Sequence, residues 1–531
     1  MKNRIIDKLA LGALTMSFAA CTSQYMDINS NPYQPGDLNP DDYALGSAMS
    51  NLAGSVISPD VNTAQFTDCL LGGPLGGYFA DSGTQWPSTI SNFNPTDDWS
   101  RVFLKSDKII PVLYSNLTTV KEVSETTNNP VPYAIAEIIK VAAMSRITDA
   151  YGPIPYSKIG SDGKISIPYD SQKEVYDKFF EELDHAIRVL TENRGAALVP
   201  TADYVYSGNV PKWIKFANSL KLRLAIRIAY ANLPKAKEMA ESAVNHEMGL
   251  IESNADNAKW NYFGTISNSL YTAIRYNADK TGGDTHAAAD IICYMNGYSD
   301  ARRAAYFEKS KWKGREDEYI GLRRSINLEK AKEYFMNYST IKISDSDPIL
   351  WMNAAEVAFL KAEGKAIFKF DMRGEASDFY NQGIRLSFEQ WGAGSAEEYL
   401  NDDSRIPATY TDPAGLNTYS SPISTITVKW DESATDEVKQ ERIITQKWIA
   451  NWMLGNEAWA DYRRTGYPKL IPATDEGNMS GGTVDSKKGA RRMPYPSAEY
   501  TDNTANVQYA VDNYLKKPDN MATDLWWACK P

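Results

Sequence analysis

From about position 131 onward, apolar residues recur at helical spacing in separate blocks, and this limits the fold more than any other feature of the chain. Ile135, Ile138, Ala142 and Ser145 share one helical face. Trp213, Phe216, Leu220, Leu224 and Ile228 share another, and Met352, Ala355, Phe359, Ala362 and Ala366 repeat at alternating steps of three and four. Three further segments put small residues where a partner helix approaches: Tyr176-x3-Phe180-x2-Leu183-x2-Ala186, Ala236-x3-Ala240-x2-Ala243 and Ala376-x3-Tyr380-x2-Gly383. Each has the form of the second helix of a tetratricopeptide-like helix-turn-helix unit. The steps from Ala186 to Ala243 and on to Gly383 are unequal, so the repeats are degenerate and interrupted by insertions. The expected fold class is all-α, a tetratricopeptide-like helical repeat scaffold carrying a large irregular, loop-rich layer.

That layer is expected at about 60–97, 250–345, 395–435 and 468–500, stretches without a period that hold much of the Gly, Pro, Asn and Tyr. Loops of such length inside a compact protein are functional or carry short elements of their own. The chain has 32 Tyr and 13 Trp against 3 His, which suits contact surfaces better than imidazole chemistry. Its net charge is -11 with no Lys- or Arg-rich block, so nucleic acid is not an expected partner.

At the N-terminus, Lys2, Arg4 and Lys8 precede an apolar segment from Leu9 to Ala20 and then Cys21. This is the form of a lipoprotein signal peptide over residues 1–20, with Cys21 as the lipidated residue; ordinary secretory cleavage next to Ala20 is the alternative. Each buried acyl methylene contributes about 0.8 kcal/mol, so two or more chains on Cys21 would anchor a body that lacks a spanning helix. Residues 21–45, rich in Asn, Pro and Asp, are expected as lipid anchor and extended tether, and 46–531 as the body. Cys69, Cys293 and Cys529 show no zinc-ligand spacing and are expected as buried thiols.

Catalytic patterns fail one by one. Gly72-Gly73-Pro74-Leu75-Gly76-Gly77 lacks the lysine of a phosphate loop and is expected as a tight turn. Asp345, Asp347 and Glu356 occupy positions 1, 3 and 12 of a would-be calcium loop, but Leu350 stands at its glycine position and Ile349 at an oxygen-ligand position. His185, His246 and His286 form no zinc-protease motif, and no Gly-x-Ser-x-Gly elbow occurs. No catalytic residue, metal or cofactor is expected. A pair of glycosidase carboxylates is set by the fold and leaves no sequence pattern.

Ligand contacts are expected from the irregular layer. Sugar rings offer apolar faces to aromatic side chains, and amides both donate to and accept from hydroxyls; peptides use the same two features. Tyr78, Gln85, Trp86 and Asn92 supply that chemistry in one segment. Tyr262, Tyr271, Tyr276, Asn277 and Tyr298 supply it in a second.

Several segments stand out in order along the chain. They are Asp27-Ile28-Asn29-Ser30-Asn31-Pro32, Thr148-Asp149-Ala150-Tyr151-Gly152-Pro153-Ile154-Pro155-Tyr156, and Trp213-x2-Phe216-Ala217-Asn218-Ser219-Leu220-Lys221-Leu222-Arg223. Glu356-x6-Glu363-Gly364 follows, then Gly455-x-Glu457-Ala458-Trp459-x-Asp461-Tyr462-Arg463-Arg464-Thr465-Gly466-Tyr467-Pro468, Arg491-Arg492-x-Pro494-Tyr495-Pro496 and Leu525-Trp526-Trp527. Together they resemble the SusD/RagB family of nutrient-binding outer-membrane lipoproteins, in its SusD-like branch. The resemblance implies four tetratricopeptide-like helix pairs. It also implies a non-enzymatic lipoprotein facing outward on the outer membrane, which captures oligosaccharides or oligopeptides as the lid of a SusC-like TonB-dependent transporter. A surface glycoside hydrolase and a protein-interaction scaffold are the alternatives. Arg463, Arg464, Arg491 and Arg492 are expected as framework arginines paired with carboxylates such as Glu457 and Asp461. Trp459, Trp526 and Trp527 are expected as packing anchors, and Trp99 and Trp213 as core.

Overall fold

The helical blocks begin where a short polar side chain answers the free N–H groups of a first turn. Ser171 and Glu174 form a reciprocal capping box, and Asn209, Asn232 and Asn353 accept from the backbone N–H groups of Lys212, Lys235 and Glu356. Pro211 and Pro234 sit in first turns, where a missing amide donor costs nothing.

A computed structural model describes residues 40–84, 86, 88–97, 109–160, 166–198, 200–261 and 267–531. Its α-helices of seven residues or more begin with α1 (Pro40–Ala53), α2 (Ile110–Thr126), α3 (Val131–Tyr151), α4 (Gln172–Glu192), α5 (Val210–Arg227) and α6 (Leu233–Asn245). They continue with α7 (Ser269–Arg275), α8 (Ala289–Gly297), α9 (Ala354–Ala366), α10 (Ala376–Gln390), α11 (Asp436–Ala450), α12 (Gly455–Thr465) and α13 (Thr504–Ala510). Four short strands pair antiparallel, β1 (Phe79–Asp81) with β3 (Thr285–Ala287) and β2 (Ala258–Trp260) with β4 (Ile349–Met352). Residues Leu45–Pro531 form one compact unit.

The fold is all-α and repeat-like, as the spacing predicts. Helices α3 and α4, α5 and α6, and α9 and α10 pack as pairs; α4 rests on α5, α5 on α9 and α9 on α11, and α11 with α12 supplies the fourth pair. The small residues do mark close approaches. Ala186 and Ala243 have no exposed surface, and a Cβ on Gly383 would lie 2.7 Å from the Phe359 ring.

Three expectations are corrected. Met352 closes β4 rather than opening a helix, because β4 is paired with β2 up to that residue and α9 starts only after the Asn353 cap. The glycine run is not a surface turn: Gln65–Gly72 is a buried π-helical turn that continues into Gly73–Leu75. A Cβ on Gly72 would come within 2.4 Å of Asn456 N, so glycine is needed there for two backbones to touch. Cys69 and Cys293 are buried, but Cys529 is exposed, since Trp527 is the last residue of the tail with its side chain fully in the core.

Between α3, α5, α9, α11 and α12 lies a buried set of ion pairs. Arg223 bonds twice to Glu356, at 2.8 and 2.7 Å, and Arg464 does the same to Glu363, at 2.7 and 2.8 Å. Lys447 reaches Asp461 at 2.7 Å and Glu356 at 3.6 Å. Arg227 pairs with Glu457 and lies 3.6 Å from Asp149, to which Trp527 Nε1 donates at 2.8 Å. Burial opposes ionisation of Asp461, but the Lys447 and Arg464 charges outweigh it and hold the carboxyl well below its usual range.

The four expected framework arginines are all committed. Arg464 adds Asp461 at 3.2 Å, while Arg491 and Arg492 pair with Asp524 and Asp519 rather than with Glu457. Arg463 differs: it lies 3.5 Å over the Trp459 ring and donates to the Asp149 and Arg491 carbonyls. Burial therefore pulls it well below the usual guanidinium value, with Asp149 only partly offsetting this. Trp213, Trp459 and Trp527 are buried and Trp526 is half-buried; Trp99 lies outside the described residues.

Removing one partner of a buried pair leaves a charge uncompensated, at a cost of about 3–5 kcal/mol. Arg464→Met is expected to lower the unfolding free energy read from urea titration by that much, and Arg464→Met with Glu363→Leu to recover part of it. A single variant within about 1 kcal/mol of the parent would mean that Arg464 does not hold the frame.

Candidate ligand-binding face

Strands β1 and β3 pair with Ala80 opposite His286 and Asp81 opposite Thr285, so the loop leaving β1 lies beside the loop entering β3. Ser82 N–H donates to Asp284 O at 2.9 Å, and Ser82 Oγ donates to Gly283 O at 2.7 Å. The same Oγ lies 2.8 Å from His286 Nδ1 and, with its own proton spent on Gly283, accepts from that nitrogen. Asp81 accepts from Gly83 N–H at 2.9 Å. Asp284 accepts from Gln65 Nε2 at 3.3 Å and from Asn277 Nδ2 at 3.1 Å.

Asp81, Ser82, Asp284 and His286 are all buried. Burial, reinforced by Asp284, pushes Asp81 up to about 7, and burial pulls His286 down to about 4, so the imidazole is neutral in neutral solution. A Ser–His contact beside two carboxylates has the ingredients of a hydrolase, but Ser82 Oγ has no path to a substrate from a residue with no exposed surface. These groups join loops.

What they display lies just outside. Asn277 is held at φ +60°, a left-handed conformation that Asn tolerates, and its amide is tied to Asp284. The chain thereby turns from α7 into the one-turn helix Ala278–Thr281, and Tyr276 is left 55% exposed. One turn back, the Arg275 guanidinium lies 5.4 Å over the Tyr271 ring. Helix α7 packs on Val61–Ala64 and on the π-helical turn. Trp86, half-buried, meets Phe66 of that turn edge-on at 5.5 Å. The two aromatic segments expected from sequence therefore share one support.

Of the expected ligand residues, Trp86, Tyr271, Tyr276 and Asn277 belong to this face. Tyr78, Asn92 and Tyr298 are framework instead. Tyr78 stacks on Trp448 and donates to its carbonyl; Tyr298 packs against Tyr294 and Tyr399 and donates to Ile426 O. Asn92 donates to Ile326 O and Gly477 O and accepts from Thr89. Their rings and amides fill the contacts between loops, which a loop-rich stretch needs as much as a helix does. Gln85, Tyr262 and Cys21 lie outside the described residues.

One aromatic pair was not expected. Trp312 and Tyr334 stack at 5.8 Å with an interplanar angle of 20°, half-buried on the small cluster around Phe335 and Tyr338. Ala278–Thr281 packs on the same stretch, Lys332–Asn337. In sequence, Trp312 stands between two lysines without any period to single it out.

Residues 27–528 match the family described as SusD-like, the SusD and RagB outer membrane lipoproteins. Among solved structures, a SusD homologue from Bacteroides uniformis is 75% identical, with a TM-score of 0.90 over 92% of this chain and 100% of that one. A SusD homologue from Bacteroides thetaiotaomicron is 40% identical, with a TM-score of 0.83 over 92% and 99%. A chitin-binding SusD homologue from Flavobacterium johnsoniae is 35% identical, with a TM-score of 0.83 over 92% and 99%. No curated protein matches the chain.

The buried carboxyl of Asp81 gives a pH test. Its folded value of about 7 exceeds an unfolded value of about 3.9. The folded state thus keeps a proton that the unfolded state releases, and stability is lost as pH rises through that window. Asp81→Asn removes the charge and keeps an acceptor for Gly83. It is expected to melt above the parent by a margin that grows between about pH 4 and about pH 7 and then levels off; a constant margin would place the ionisation of Asp81 outside this range.

Proposed function

Because the chain belongs to the SusD-like family of outer-membrane lipoproteins, we propose that it captures oligosaccharides on the face carrying Trp86, Tyr271 and Tyr276 and passes them to a SusC-like TonB-dependent transporter. The observation that carries this reading is Tyr276, an aromatic ring more than half exposed on a turn fixed by a partly buried hydrogen bond. A ring so displayed costs little to order on binding and offers a flat apolar surface to a sugar. A glycan is preferred to a peptide because a homologue 35% identical is described as chitin-binding.

The role is capture without chemistry. A glycosidase needs two carboxylates flanking an open cleft, and the pair at this face, Asp81 and Asp284, is buried and engaged in hydrogen bonds. Association costs several kcal/mol of lost freedom, and two or three stacked rings at about 1 kcal/mol each leave weak binding. Weak binding suits a protein that must release its cargo. Residues 1–20 act as the signal peptide, Cys21 carries the lipid, and the tether to the body ends by Pro40, where α1 begins, rather than running to residue 45.

Trp86→Ala and Tyr276→Ala, titrated by calorimetry with an oligosaccharide panel that starts from chito-oligosaccharides, are each expected to weaken binding by roughly fivefold. Unchanged affinity in both variants would move the capture face elsewhere. In fractionated cells the parent is expected in the outer membrane, co-purifying in mild detergent with a large β-barrel, and Cys21→Ala in the soluble fraction. A Cys21→Ala chain that stays with the membrane would defeat the anchor assignment.

A further inference from the structure

Helix α7 also borders a pocket of about 190 Å³, distinct from the aromatic face and built where β2, β4, the end of α10 and the segment after α11 meet. Drug-sized sites run from roughly 300 to 1,000 Å³, and an engineered cavity of about 150 Å³ holds a benzene ring, so this pocket has room for one ring and not for a chain.

Its walls combine two kinds of surface. Trp391 and Trp452 are the aromatic side, both locked against Tyr306, Trp391 edge-on at 4.7 Å and Trp452 stacked at 5.1 Å. The polar side carries donors. Gln390 spends its oxygen on Asn257 Nδ2 at 3.2 Å, which leaves its amide hydrogens available. Lys259 stands at a bulge in the β2–β4 pairing, a device that re-aims a side chain, and among the described residues its ammonium has no ion-pair partner. Lys342 adds a second positive charge to the lining, with one donor given to Ala304 O at 3.1 Å.

The acidic residue of the lining is already occupied. Both carboxylate oxygens of Asp347 accept from Ser344, through its N–H and its hydroxyl, each at 2.8 Å. Met453, which also lines the pocket, is held at φ +80°, a conformation that costs a non-glycine residue energy and that persists where surrounding structure imposes it. An aromatic wall, the amide hydrogens of Gln390 and a half-buried lysine with no ion-pair partner among the described residues together call for a ring that carries an anionic acceptor.

We propose that this pocket binds one carboxylate-bearing sugar residue of an acidic glycan, its ring against Trp391 and Trp452 and its carboxylate on Lys259. The proposal rests on the glycan-capture reading and narrows its substrate class to uronic-acid-containing chains. A neutral sugar would leave the lysine charge unanswered, and a larger aromatic ligand would leave the amide donors of Gln390 unused.

The test uses the mature full-length chain with ¹⁵N-labelled indoles, the Trp391 signal being assigned by its loss in Trp391→Phe. Free glucuronate is expected to shift that signal saturably and glucose is not. Lys259→Met is expected to weaken the glucuronate response by roughly tenfold or more, the worth of a hydrogen bond to a charged group. No shift with glucuronate, an equal shift with glucose, or an unchanged response in a folded Lys259→Met chain would each overturn the proposal. Glycylglycine binding as tightly as glucuronate would overturn the sugar assignment in favour of a peptide carboxylate. Trp86→Ala and Tyr276→Ala are expected to leave the glucuronate response intact. If those variants also leave oligosaccharide affinity intact, the capture face fails while the pocket stands.

Discussion

The guanidinium of Arg464 is held between Glu363 of α9 and Asp461 of α12, Arg223, Arg227 and Lys447 repeat the arrangement, and Arg227 adds Asp149 of α3, so that five helices meet through buried charges. Taking such groups out of water is expensive, and apolar side chains of the same volume would hold helices together at least as well. What apolar faces do not supply is direction. In an array whose units lack a fixed period, one greasy stripe fits another in several registers, whereas a bidentate guanidinium fits its carboxylate in one. The network thus accounts for how degenerate repeats settle on one neighbour each. Trp527 extends it to the C-terminal tail through Asp149.

The same frame decides what the loops can do. The polar knot of Asp81, Ser82, Asp284 and His286 costs desolvation, yet it ties together two loops whose strand pairing is only three residues long. With Asn277 fastened to it, the backbone that carries Tyr276 is held in place. A ligand at the proposed face would then have less backbone to order on binding.

Periodicity made the frame readable: the apolar repeats fall on α3, α5 and α9, and the small residues fall on the close contacts of α4, α6 and α10. It misplaced Met352 because strand and helix share an apolar side at that junction. The ligand face was half readable. Trp86 and Tyr276 sit among turn formers and do reach the surface, but Tyr78 and Tyr298 sit in similar company and are buried. Their hydroxyls find carbonyls 370 and 128 positions away, a distance at which no local pattern operates. The pocket at Lys259 was not readable at all, since it exists only through the pairing of β2 with β4 and a bulge within it.

The contact of the π-helical turn with α12 has a bearing on the order of events during synthesis. Asn456 reaches the Thr67 carbonyl across 389 positions, and Gly72 lies backbone to backbone on Gly455. The support for the whole aromatic face is therefore completed by nearly the last helices to emerge. Contacts of such long sequence separation form slowly, because the intervening chain must be gathered first. Helix α7, strand β3 and Arg146 of α3 are available to the early segment sooner, but its contact with α12 waits for the C-terminal quarter. The helix pairs between 131 and 245 close locally, whereas the support under the aromatic face is complete only when α12 has joined it.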